Sequence, residues 1–343
     1  MKFVYPAALA VLTVIAPCAP AQTQYTPSSE EAPAETEGPV VMTDVAMKAE
    51  AAYARADFAQ LQAIIDTLSQ PDQLTGDGRP KLMAVYSGLK HFVEVYNSWS
   101  SDLNKIQSWR KYRPQDYGPD VVEALVWRAW AWHVRGTGYA DSVSAEGWKL
   151  FNEKLDNAAA VLDRSKERAT RTPLWYQVRL GVARDLGADD TQYQAIFDEA
   201  VARFPGYLPL YLQMAGHLSP KWGGSYSLLE KFARKTAGDK RHDDFTTYTR
   251  IYWDLGTQEN EQFDLFRDSD VSWSLMKAGF EKMMQQYPRS DWNLNAFASF
   301  ACRAGDGPTY AALRVRMGEK VFSDVWASNY SVDVCDERWL KKT

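Results

Sequence analysis

Along most of the chain the apolar positions recur every three or four residues, with polar residues filling the gaps. In "DFAQLQAIIDTL", Phe58, Leu61, Ile64, Ile65 and Leu68 share one face of a helix. "RPKLMAVYSGLKHFVEVYNSW" repeats the pattern through Leu82, Val85, Leu89, Phe92 and Tyr96. "PDVVEALVWRAWAWHVRG" carries Pro119 in its first turn, stops at Gly136 and is apolar nearly all round, which predicts an interior helix. "SAEGWKLFNEKLDNAAAVLD" offers Ser144 as an N-cap and places Trp148, Phe151, Leu155, Ala159 and Leu162 on one face. No stretch alternates convincingly with a period of two, so the class is all-α.

The helical pattern pauses at "SPKWGGSYS", residues 219–227. Pro220 discourages helix at Ser219, Gly223 and Gly224 permit positive φ, and Ser225 can cap a helix beginning near Tyr226. A corner between two antiparallel helices results. Trp222 then has two fates: a wedge beneath the corner with its N–H on a helix-end carbonyl, or a platform for a ligand. Lys221, Trp222 and Tyr226 are the candidate partner-binding residues.

Between Leu174 and Pro205, "LWYQVRLGVARDLGADDTQYQAIFDEAVARFP" resembles a tetratricopeptide repeat. Leu180 and Gly181 fall where the first helix needs a core leucine and a small residue, Phe197 and Ala200 where the second packs back, and Pro205 where the repeat ends. Three positions depart from the pattern: Gln177 replaces its tryptophan, Arg184 its tyrosine and Tyr193 its alanine. A looser copy runs from Gly216 to Phe232, and "FEKMMQQYP" echoes "FDEAVARFP". The expected architecture is a single elongated α-solenoid of stacked antiparallel hairpins over residues 43–343, with a concave surface open to a partner.

The ends of the chain read differently. "MKFVYPAALAVLTVIAPCAPAQ" has Lys2, an apolar run from Ala7 to Ala16 and Ala19-Pro20-Ala21 before Gln22, the pattern of a cleaved secretory signal over residues 1–21. The run is shorter than the roughly 20 residues a membrane span needs, and Pro17 before Cys18 disfavours a lipoprotein site. Residues 22–42, rich in Pro, Glu, Ser and Thr, suit a disordered tether. A periplasmic or secreted protein with no membrane span follows as the expectation. The formal charge of −5 over 343 residues argues against a nucleic-acid partner. After cleavage only Cys302 and Cys335 remain, and an oxidising compartment favours a disulfide between them over two buried thiols.

Five phrases, "WHVRGTGYADSVSAEGWKLF", "FPGYLPLYLQMA", "PKWGGSYSLLEKFA", "YTRIYWDL" and "SLMKAGFEKM", together resemble a family of exported or membrane-associated bacterial proteins classified as a domain of unknown function. The resemblance covers Ala49 to Leu340 and implies a helical, tetratricopeptide-like scaffold; it implies no reaction. The residues themselves agree. His91, His133, His217 and His242 stand far apart with no zinc spacing, and "DSDVSWSLMKAG" fails as a calcium loop at Trp273 and Gly279. Asp189-Asp190 and Asp243-Asp244 read as caps and solvated corners rather than as an acid–base pair. No catalytic residue, cofactor or metal is expected. Two functions remain: a non-catalytic scaffold for a protein or peptide of the cell envelope, or a glycan-binding or glycan-acting protein that uses some of its 13 tryptophans as sugar platforms.

Overall fold

The computed structural model describes residues 38–237, 245–257 and 262–340. Residues 1–21, the expected signal, and most of the expected tether lie outside them, as do Asp243, Asp244 and His242. The described residues fold into sixteen α-helices and no strand, an all-α protein. In the first half these are α1 (Gly38–Ala54), α2 (Phe58–Leu68), α3 (Leu82–Tyr96), α4 (Trp99–Tyr112), α5 (Gly118–Arg135), α6 (Ala145–Ala169), α7 (Pro173–Asp185) and α8 (Asp190–Arg203). The second half contributes α9 (Leu208–Leu218), α10 (Tyr226–Ala237), α11 (Thr246–Gly256), α12 (Leu265–Asp268), α13 (Trp273–Gln286), α14 (Asp291–Arg303), α15 (Gly307–Met317) and α16 (Val332–Trp339).

Local chemistry sets the boundaries. The side chains of Asp57, Ser144, Thr172, Asp189 and Ser290 each accept a backbone N–H at the start of their helices, so orphan donors are satisfied where the sequence changes phase. α5 is the interior helix its composition predicts: it packs on α3, α4, α6 and α7, and most of its residues are buried. One boundary differs from expectation. α1 begins at Gly38, inside the stretch assigned to the tether, because Met42 turns into the core and the helix lies along α3. The contact is close at Gly88, where an added Cβ would sit 2.7 Å from the Ala46 carbonyl oxygen.

Leu180, Gly181, Phe197 and Ala200 are buried at the α7–α8 interface and its surroundings, as the repeat pattern asks. Beyond that pair, α9 packs on α7, α8, α10 and α11. The chain departs from an elongated array in which each unit meets only its neighbours. The loop between α2 and α3 reaches across to α11 and α14: Asn293 Nδ2 donates to the Asp77 carbonyl oxygen at 3.1 Å, and Arg250 donates to both that oxygen and Asn293 Oδ1. Burial opposes ionisation of Asp77, yet Arg79, Arg250 and Thr75 together hold its carboxyl below the ordinary carboxylate range. Residues 74–80 thus bind the N-terminal third to the C-terminal half. At the far end a disulfide joins Cys302 on α14 to Cys335 on α16.

Candidate functional site

α1 packs on α3, α3 on α5 and α5 on α7, so α1 and α3 lie opposite α7, α9 and α11, and a cavity of about 450 Å³ lies between them. That volume falls in the range of about 300–1,000 Å³ typical of small-molecule sites. Its apolar lining comes from Met42 and Met83 on one side and Leu212, Leu229 and Ile251 on the other. The amphipathic faces of these helices explain why it is apolar: the residues are the inward positions of α1, α3, α9, α10 and α11, and here those faces meet incompletely.

Polar groups break this lining, Gln177 and Gln213 among them, and inside the rim three are charged. Arg184, at the end of α7, is 5% exposed, and its Nε and Nη2 have no hydrogen-bond acceptor among the described residues. Its nearest carboxylate oxygen, Asp185 Oδ1, is 3.9 Å from Nε. The other Asp185 oxygen is already bound by Arg128 Nε at 2.6 Å and by Trp132 Nε1 at 2.7 Å. Gly181 makes room for that arrangement, since a Cβ there would come within 3.0 Å of the Arg128 guanidinium. Lys221 forms no ion pair among the described residues, and burial together with the Arg184 charge pushes its ammonium below the usual lysine range. On α11, burial raises the Asp254 carboxyl to about 6. At the rim the charges are self-satisfied: Lys90 binds Glu94 at 2.6 Å, and His91 binds Glu50 at 3.2 Å.

The structure separates the three candidate residues of the "SPKWGGSYS" corner. Pro220 to Trp222 form one turn of 3-10 helix, and Trp222 is 8% exposed beneath it, which is the wedge. It also lines the cavity with Lys221. Its indole packs edge-on against Trp132 at 6.4 Å and lies under the Arg184 guanidinium at 4.4 Å, so its partner is a cation rather than the expected helix-end carbonyl. Tyr226 does not join them: it stacks on Phe263 at 5.5 Å, away from the cavity. Of the two glycines, Gly223 is left-handed at φ 86°, whereas Gly224 is required for a different reason. A Cβ at Gly224 would lie 2.0 Å from the Leu218 carbonyl oxygen, which the Ser225 N–H must reach. Ser225 caps α10 by accepting from the Leu228 N–H at 3.1 Å.

Arg184, Gln177 and Asp254 were not among the candidates. A signal for the first two was present: both stand where the repeat pattern asks for an aromatic residue, and both line the cavity. Places where a local rule is broken are where function or strain is expected. Asp254 had no such signal, because an acid in "YWDL" fits the polar face of any helix.

The aromatic and acidic groups outside the cavity are occupied by one another. Trp127 stacks on Trp130 at 5.3 Å and Trp130 on Trp99 at 6.0 Å, with Lys154 over Trp127 and Trp130, so these faces are engaged within the protein. Glu123 is held by Arg110 and Arg164, and Asp120 by Arg110 and Arg168. Asp189 caps α8, and Asp190 binds His217 at 2.9 Å. Among the described residues no three His, Cys, Asp or Glu side chains converge on a point that could hold a metal ion. No described helix is long and apolar enough to cross a membrane. Comparison with family models, with curated proteins and with solved structures gave no match to this chain.

Proposed function

We propose that this chain is a non-catalytic binding protein of the bacterial cell envelope, built on a helical-repeat scaffold, and that its binding element is the cavity between α1, α3 and the α7–α9–α11 wall. The observation that carries the reading is Arg184: a buried guanidinium with unmet donors, in an apolar cavity, is costly unless a ligand supplies the acceptor. A protein or peptide partner that uses the cavity does so by inserting a side chain or terminus, because α1 and α3 bound the space that an open array would leave as a groove. The glycan alternative has less support, since Trp99, Trp127 and Trp130 stack on one another and the Trp222 ring in the cavity is covered on one face by the Arg184 guanidinium.

The test uses a neutral apolar fluorophore, phenylnaphthylamine, titrated into the whole protein. Saturable binding that is abolished by Leu212→Trp, with the denaturation midpoint retained, supports the cavity as the site. Binding that is indifferent to Leu212→Trp in a folded variant overturns it.

A further inference from the structure

Resting on the cavity reading, the geometry points to a ligand class: a single-chain amphiphile with an anionic head group, its head between Arg184 and Lys221 and its tail along Met42, Met83, Leu229 and Ile251. The unmet donors of Arg184 call for an anion. Of the carboxylates nearby, Asp185 gives one oxygen to Arg128 and Trp132 and holds the other 3.9 Å from Arg184 Nε, Glu94 binds Lys90, Glu50 binds His91, and Asp254 forms no ion pair among the described residues. Arg184 Nε and Nη2 are therefore left without an acceptor in a buried setting where solvent screening is weak. Lys221, half-buried in the same corner, lines the cavity and forms no ion pair among the described residues.

The head site has the shape of an oxyanion receptor. Trp222 supports the guanidinium from one face at 4.4 Å, fixing its plane while leaving Nη2 to donate. Gly216 leaves the far side open, since a Cβ there would already lie 3.2 Å from Nη1. Carboxylates and phosphomonoesters both fit a guanidinium beside an ammonium. Away from this corner the lining is methionine and branched aliphatic, which accommodates a flexible alkyl chain without demanding one fixed shape.

Two ligand sources share this chemistry, a free fatty acid and a lysophospholipid, so the experiment carries both. Dodecanoate, lauroyl lysophosphatidate, dodecanol and dodecyltrimethylammonium are titrated into the whole protein by calorimetry, and again into Arg184→Gln and Lys221→Gln. Expected is binding of at least one anionic probe at one per chain, about tenfold or more tighter than dodecanol, with that advantage lost in Arg184→Gln and reduced in Lys221→Gln. The tighter of the two anions identifies the source. If dodecanol binds as well as the anions, or if Arg184→Gln leaves their advantage intact, the head-group assignment fails while the cavity stands. Should none of the four bind, both readings fall. Dodecyltrimethylammonium binding tightest also overturns the proposal, because it assigns the head to Asp254 instead.

Discussion

The guanidinium of Arg184 lies 4.4 Å from the centroid of the Trp222 indole, so a cation from α7 and an aromatic ring from the α9–α10 corner form one wall of the cavity. Each residue explains the other: the ring supports a charge that lacks a carboxylate of its own, and the charge covers a face that would otherwise meet only the cavity. Trp222→Ala removes both the packing against Trp132 and this contact. The expected loss is about 2–4 kcal/mol, within the range of large aromatic truncations but below its top because one edge already faces open space. Chemical denaturation beside the parent reads it, and an unchanged midpoint contradicts the wedge.

Asp254 makes a pH prediction of definite sign. Its folded-state value of about 6 lies above the ordinary 3.8, because burial disfavours the charged form. Its contribution therefore favours the folded state at acidic pH and is lost as pH rises through 6. Asp254→Asn should stabilise the protein at pH 7 and above by about 2 kcal/mol and should flatten this part of the stability curve. A variant less stable than the parent at neutral pH means that the carboxylate has a partner in solution.

Asp77 has the opposite sign. Its lowered value contributes stability above the ordinary carboxylate range, and that stability is lost as pH falls through the lower, folded-state value. Asp77→Asn leaves Arg79 without its carboxylate at the contact between residues 74–80 and α11–α14, and the cost should be about 3 kcal/mol. Hydrogen exchange provides a second readout. Protection should fall in α11 and α14 as well as in the loop itself, whereas a change confined to residues 74–80 denies the bridging role.

The Cys302–Cys335 bond closes a loop with a sequence separation of 33. On the chain-entropy estimate its reduction costs about 4 kcal/mol, and most of that should appear in the denaturation midpoint of Cys335→Ser. Non-reducing mass spectrometry of the protein from its native compartment should find the two thiols oxidised. Two freely alkylated cysteines exclude the bond.

How far the sequence alone reaches is clear from particular residues. Helices with a clean apolar face or a capping signal, such as α2 and α6, were legible because spacing and caps act locally. α4 carried no such signal, since its inward positions are Trp99, Asp102, Ile106 and Trp109, and an acid within the buried stripe breaks the pattern. Asp102 is tolerated there because Tyr53, 49 residues away, donates to it, a relationship no local window contains. The site followed the same division. Trp222 and Lys221 were legible from an unusual corner, whereas Gln177 and Arg184 stood out only as departures from the repeat pattern and were not read as site residues. The cavity was not, because it depends on α1 and α3 meeting α7, α9 and α11, helices far apart along the chain.

The most direct test of the whole account is a crystal structure of the protein with dodecanoate. The account predicts one molecule in the cavity, its carboxylate within hydrogen-bonding distance of Arg184 Nη2 and its chain running past Met83 and Ile251. Dodecanoate bound elsewhere, with the Arg184 donors still unmet, would contradict it.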